Sequence, residues 1–235
     1  MRLRQFIYIL LLTISAFSAQ AKSIVINMAE HDDKAYYFGI TMGFNYSMFR
    51  FKYSQSFAQT DTFKNITSRF GPGFNLGLMG NLRLTKFVDL RFVPTLIFAE
   101  KPVSLIATSS VGNDSGVDRQ VESIYMHLPL QLKFKSDRIK NFRFYAVGGG
   151  KLDIDLAANA RSRRQDEFIK VKPIDIGYEI GVGFEFYYPN FIFSPEIKLS
   201  QGLMNAQYKD PKIPLSNALE NMTTRMIVIS IHIEG

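Results

Sequence analysis

Apolar and polar residues alternate with a period of two along most of the chain. Between residues 74 and 84, Phe and Leu occupy the even positions apart from Gly80, and Asn, Gly, Met and Arg occupy the odd positions. Because successive side chains of a strand point to opposite faces of a sheet, this period predicts β-strands rather than helices. Eight segments alternate in this way: residues 36–48, 74–84, 89–98, 124–134, 142–154, 174–186, 191–199 and 227–234.

The distribution of charge between the two faces indicates whether the strands form a soluble sheet or a membrane-spanning barrel. A soluble sheet buries its apolar face, whereas an outer-membrane barrel turns that face to lipid and its polar face to the lumen. None of the eight apolar faces carries a charge, while most of the opposite faces do, and the seven connections alternate between long and short. The pattern predicts an all-β protein, an eight-stranded antiparallel up-and-down transmembrane β-barrel with both termini on the periplasmic side.

The first 21 residues are typical of an export signal. Arg2 and Arg4 form a basic start, residues 6–17 an apolar centre, and Ala19-Gln20-Ala21 a cleavage site. About 12 apolar residues are too few for a transmembrane helix. We therefore predict a signal peptide (1–21), a short periplasmic lead (22–34) and a barrel domain (35–235). The lead has no periodicity and is expected to be a solvated tail.

Composition excludes several classes of function. The formal charge is +7, or +5 without the two arginines of the signal, and the basic residues are interspersed with acidic ones, so nucleic-acid binding is not predicted. The absence of cysteine excludes disulfides, thiolate metal sites and an acylated anchor. Surface enzymes of this class need a histidine in an outer loop. His31, His127 and His232 all lie elsewhere, so we predict no enzyme activity and no cofactor or metal.

Charged residues on the inward faces are the candidate functional positions. An eight-stranded barrel encloses a lumen that side chains roughly fill, and charges removed from water must pair. We predict an interior ion-pair network that plugs the barrel and leaves no continuous water channel. Its members are Arg83, Asp89, Arg91, Lys133, Arg143, Lys151, Asp153, Glu179, Glu185, Glu196 and Lys198.

Two further features of the sequence lead to expectations. Arg161, Arg163 and Arg164 lie in a long outer loop, where they are candidates for contact with anionic lipid or a partner protein. An ordinary solvated loop explains them equally well. Three prolines lie inside predicted strands, and proline cannot donate to a ladder, so bulges or irregular pairing are expected there.

Several long runs resemble the PorT/SprT family of outer-membrane proteins of the type IX secretion and gliding-motility machinery. The runs are GPGFNLGLMGNLRL (71–84), DLRFVPTLIFAEK (89–101), KFKSDRIKNFR (133–143), GGGK (148–151) and IFSPEIKLSQG (192–202). The resemblance implies a small barrel that is required for export of cargo across the outer membrane. The partners it implies are other type IX components, beside the lipid of the outer membrane. It identifies no catalytic residue, and the chain ends in Ile-Glu-Gly where outer-membrane barrels usually have a terminal aromatic.

The sequence thus supports three functional hypotheses. The leading one is a non-enzymatic accessory of type IX secretion that acts by assembly or partner binding and is not the conduit. The second is an adhesin or ligand-binding barrel unrelated to secretion. The third, an outer-membrane enzyme, has the least support because the outer loops contain neither His nor Cys.

Overall fold

The computed structural model describes residues 25–54, 63–107, 115–157, 170–208 and 218–235. A short 3₁₀ helix, Ala29–Asp33, comes first. None of the described segments forms a helix that is long and apolar enough to cross a membrane. The strands that follow are β1 (Tyr36–Tyr53), β2 (Phe63–Ser68), β3 (Gly71–Arg83), β4 (Val88–Phe92), β5 (Thr95–Ala107), β6 (Ser115–Lys135), β7 (Phe142–Asp155), β8 (Ile174–Tyr187), β9 (Ile192–Gly202) and β10 (Leu219–Glu234).

The strands form a closed antiparallel ring. β1 pairs with β3 on one side and with β10 on the other, which closes the sheet. β2 and β3 both pair with β5, so these two strands form one wall strand. β4 and β5 both pair with β3 and with β6, in one continuous register on each side, so they form another. The ten strands therefore occupy eight wall positions. The predicted eight-stranded up-and-down barrel is confirmed.

The two faces of the wall have opposite polarity. Phe44 and Leu78 point outward and are 69% and 64% exposed, whereas Arg91 points inward and is fully buried. Most outward positions of the central wall are exposed aromatic or aliphatic side chains, and most inward polar positions are buried. Apolar side chains belong outside in a bilayer, because lipid replaces water as the surrounding solvent.

Several strands run further toward the long connections than the sequence predicts. The region after β1, predicted as loop, contains β2; β5 and β6 extend into residues 101–119, and β10 begins at Leu219. The reason is an inversion of polarity beyond the apolar belt. On β1, Arg50 and Lys52 point outward and are exposed, while Phe49 and Phe51 point inward. The pattern of an apolar outer face ends there although the strand continues.

Inward side chains of these extensions, together with two alanines of the adjoining connection, form an outer apolar cluster at the long-connection end of the barrel. Because both termini and the short connections lie at the opposite end, the cluster lies on the extracellular side. It buries apolar side chains in the lumen, as the core of a soluble protein does. Its members are Phe49, Ile66, Val103, Leu105, Ala206, Ala218, Leu219 and Met222.

The three prolines of the predicted strands, Pro94, Pro129 and Pro195, lie where pairing is interrupted without a shift of register. Pairing of β6 stops at Leu130 with β4 and resumes at His127 with β5, and this gap contains Pro94 and Pro129. Pro195 lies in a similar gap between β8 and β9. Irregular pairing is therefore found at all three prolines, without a bulge. Two of the missing donors share one gap, which limits the number of unpaired backbone groups.

Glycine at position 149 allows β6 and β7 to approach closely. A Cβ atom there would lie 2.1 Å from the carbonyl oxygen of Leu130 and 2.6 Å from the Cα of Gln131. Any side chain would push the two strands apart, so this part of the GGGK run serves the wall.

Candidate functional site: a charged interior closed by the lead segment

Arg91 lies at the centre of the buried charges. Its Nη1 atom is 2.5 Å from Oε2 of Glu196, and both side chains are fully buried. Glu234 is 3.9 Å from the same guanidinium, and Nε2 of His232 lies 3.5 Å from Oε1 of Glu196. These residues come from β4, β9 and β10, which are distant in sequence. Strand alternation brings them together because each points into the lumen.

A second group surrounds Glu179 on β8. His127 contacts the carboxylates of Asp153 (Nδ1–Oδ1, 2.5 Å) and Glu179 (Nε2–Oε1, 3.2 Å). Lys151 pairs with Asp153 at 2.6 Å, and Lys198 lies 3.6 Å from Glu179. An Asp–His pair can act as a general base, but here it lies inside the wall, with His127 almost completely buried. The position gives it no access to an external substrate.

A third group lies toward the short turns. Lys133 pairs with Glu185 and is 3.4 Å from Glu234. Lys135 pairs with Asp89 at 2.7 Å, and the hydroxyl of Tyr37 donates to the same Asp89 carboxylate. Lys198 also lies 3.6 Å from Glu196, which links the second group to the first, and Glu234 links the first group to the third. The charges are thus arranged as one connected set.

The structure brings together nearly all of the eleven charged residues that strand alternation predicted to face inward. Apart from Arg83, each of the eleven makes an ion pair within the described part of the chain. Arg143 pairs with Glu185 at 3.7 Å and with Asp32 at 2.9 Å. The side chain of Arg83 donates to the backbone carbonyls of His31 and Asp32.

Several members of the network are absent from the sequence-based set. His127, His232 and Glu234 lie on the polar faces of predicted strands, and Lys135 continues the parity of Lys133. The same alternation could therefore have identified them. Asp32 belongs to a segment without periodicity, and no sequence signal indicates its contact with Arg143.

The lead segment, described here from residue 25 to 34, folds against the periplasmic mouth of the barrel. His31 is buried in the 3₁₀ helix, with its ring centroid 4.5 Å from that of Tyr37. The guanidinium of Arg138 donates to the carbonyl of Asn27 and stacks 3.7 Å from the ring centroid of Tyr187. The expectation of a solvated tail is therefore wrong for this part of the lead. Contacts with side chains far along the chain, invisible to local periodicity, hold it in place.

Other predicted positions lie outside the described residues. These include the signal peptide and the loop arginines Arg161, Arg163 and Arg164. Within the described part of the chain, no group of three His, Asp or Glu side chains is arranged to hold a metal ion.

Sequence comparison establishes the family. A model of the outer membrane protein β-barrel domain matches residues 19–207, which is more than half of the chain. The chain therefore belongs to this family, and its place is the outer membrane. A comparison with curated protein sequences gave no match.

Three solved structures of small outer-membrane proteins are similar to this chain. Neisserial surface protein A has 11% identity and a TM-score of 0.44, with 85% of this chain and 96% of that chain covered. OprG of Pseudomonas aeruginosa has 15% identity and a TM-score of 0.45, with 86% and 95% covered. Ail, the attachment invasion locus protein of Yersinia pestis, has 11% identity and a TM-score of 0.38, with 86% and 100% covered. These similarities carry no information about what the chain binds.

Docking of the lead segment is expected to weaken in acid. Burial lowers the pKa of His31 from 6.5 to about 4, opposed in part by the carboxylates of Glu234 and Glu185 and assisted by Arg83 and Lys34. Between these two pH values the docked imidazole binds fewer protons than a free one, so stability of docking is lost as pH falls through this window. The measurement is the distance between spin labels at Glu30→Cys and Asn190→Cys, which is feasible because the chain has no cysteine.

His31→Gln is the control for this pH dependence. Its side chain stays neutral, so the label distance should respond less to acid than in the parent protein. A parent distance that is unchanged between pH 7 and about pH 4, or an equal change in the variant, would exclude His31 as the titrating group.

Proposed function

We propose that this protein is an accessory component of the type IX secretion system, required for export of cargo across the outer membrane. It acts by assembly or partner binding and is neither the conduit nor an enzyme. The observation that supports the second statement is the burial of the inward charged side chains. Buried ion pairs such as Arg91–Glu196 occupy the lumen between the lead segment and the outer apolar cluster. A barrel of eight wall strands is too narrow for a folded protein in any case.

The resemblance to the PorT/SprT family supports the link to secretion. The sequence segments that carry this resemblance coincide with whole strands and turns of the barrel. Residues 71–84 cover β3, residues 89–101 span β4 and the first half of β5, and residues 133–143 form the turn between β6 and β7. That turn contributes Arg138, which contacts the lead segment at the periplasmic face.

Contacts with lipid and with other type IX components complete the proposal. The exposed apolar belt provides the lipid contact, and residues such as Ile180 and Val182 are 53% and 55% exposed on it. The outer-loop arginines Arg161, Arg163 and Arg164 are candidates for a lipid headgroup or a partner protein.

Deletion of the gene tests the proposal. Type IX cargo should be lost from the culture medium and cell surface and regained on complementation, because the accessory is needed for export. The purified protein should form no large pore in planar bilayers, because the lumen of an eight-stranded barrel is only wide enough for side chains to fill. Export that continues in the deletion strain refutes the secretion role, and a large stable conductance refutes the accessory role.

A ligand-binding or adhesive barrel is the second candidate. It is favoured by the strand extensions beyond the belt, where outward side chains such as Arg50, Lys52 and Glu122 are polar and exposed. This candidate predicts normal export in the deletion strain together with weaker attachment of cells to a surface or ligand. The secretion experiment therefore separates the two functions.

A further inference from the structure

A polar cavity of about 260 Å³ lies beside the lead segment at the periplasmic mouth. It is distinct from the ion pairs of the central lumen, because most of its lining comes from the mouth and the short turns. The lining residues are Asp32, Arg83, Lys86, Ser136, Asp137, Arg138 and Arg143.

The cavity has an excess of positive charge. Four of its side chains are cationic and two are carboxylates. Lys86 pairs with Asp137 at 2.8 Å, and Arg143 pairs with Asp32 at 2.9 Å. The guanidinium of Arg83 donates hydrogen bonds to backbone carbonyls, and it forms no ion pair with any described carboxylate. Carbonyl oxygens accept hydrogen bonds but do not neutralise charge, so the cavity retains a positive potential.

Two of the arginines are held in place before any ligand arrives. The side chains of Arg138 and Arg143 are only 9% and 8% exposed. Arg138 is stacked on Tyr187, and the Nε–H of Arg143 has no hydrogen-bond partner among the described residues. A rigid guanidinium loses little entropy on binding, and its planar fork matches the geometry of a carboxylate or a phosphate.

The position and charge of the cavity favour a carboxylate over a lipid phosphate. Arg83 and Arg143 alternate with the lipid-facing residues Leu82 and Phe144, so they belong to the inside of the ring. A headgroup held at the outer wall would have to cross that wall to reach them. Asp32 and Asp137 would also repel a doubly charged phosphate more strongly than a singly charged carboxylate.

We propose that this cavity binds a carboxylate of a soluble periplasmic protein, presented by an acidic side chain or a chain terminus. The partner carboxylate would lie beside Arg83, which has no ion pair with a described acid, and beside Lys86, whose pair with Asp137 is exposed to solvent. The site is independent of the secretion role, because binding is measured on the purified protein and export is measured in cells. Either can fail without the other.

The test uses the mature protein in dodecyl maltoside micelles, with N-acetyl-triglycine as the probe. Its free carboxylate should shift the backbone amide resonances of Ser136 and Arg138, and the amidated form of the same peptide should not. Lys86→Gln should weaken binding about fivefold, the loss expected for one partly exposed charge contact. The cation removed is at the rim and 74% exposed, so the fold should persist.

Lys52→Gln is the matched control. Lys52 pairs with Glu220 at 2.9 Å, and its side chain is 69% exposed. The pair resembles that of Lys86 with Asp137, in which the distance is 2.8 Å and Lys86 is 74% exposed, but it lies at the opposite end of the barrel. Binding should be unchanged in this variant and weakened in Arg83→Gln. Equal affinity in all variants, or no shift at about 20 mM probe, overturns the proposal. Tighter binding of inorganic phosphate or of phosphatidylglycerol vesicles than of the peptide overturns it in favour of a headgroup site.

Discussion

Replacing Glu196 by Leu is expected to lower the free energy of unfolding by about 3–5 kcal/mol. The change leaves the guanidinium of Arg91 without its closest carboxylate, at a position where both side chains are fully buried. Lys198 and His232 lose the same neighbour. An unpaired buried charge costs far more than the net gain from a pair. Urea titration of the protein in lipid vesicles, followed by near-ultraviolet circular dichroism, measures the effect.

Two controls accompany this variant. Glu220→Leu removes the exposed pair with Lys52 and should cost only about 0–1 kcal/mol. The double variant Arg91→Leu/Glu196→Leu should recover much of the lost stability, because it leaves no lone charge at the centre of the set. Equal effects of Glu196→Leu and Glu220→Leu, or a double variant less stable than the single one, would mean that the interior charges do not act as pairs.

Ile180→Arg is expected to cost about 2–4 kcal/mol, because it places a charge on the lipid face of the wall. Ile180 lies near the middle of β8 and is 53% exposed on the outward face. Folding yield and urea stability in vesicles measure the effect. Ile180→Leu, which keeps an apolar side chain at the same depth, should fold as the parent does.

Glu122→Arg introduces the same side chain beyond the belt. Glu122 is exposed on β6, opposite Glu100 of β5, so an arginine there stays in water and meets a carboxylate. A similar loss of stability in the variants Ile180→Arg and Glu122→Arg would contradict the position of the belt. Gly181, which faces inward beside Ile180, is not a neutral control, since a Cβ there would lie 2.6 Å from Cγ of Lys198.

Within the apolar belt, the sequence by itself determined the wall of this barrel. Every outward position there must be apolar to meet lipid, and every backbone group must pair within a closed ring. These demands act on each residue locally, so alternation alone identifies the strands and their faces, as from Phe74 to Leu84. The same parity selected Arg91 and Glu196 as inward residues, although it could not pair them. Pairing depends on the depth of each residue in the ring, which alternation does not specify.

The tertiary structure decided what lies beyond the belt and at the two ends. On the extracellular side water replaces lipid, so the faces of β1 invert at Phe49 and Arg50 and the rule for the belt ends although the strand continues. At the periplasmic mouth, Arg138 reaches the carbonyl of Asn27, 111 residues earlier in the chain. Such a contact leaves no periodic trace in the sequence of the lead segment. Only closure of the ring brings the turns near the lead, and with them the cavity between Asp32 and Arg143.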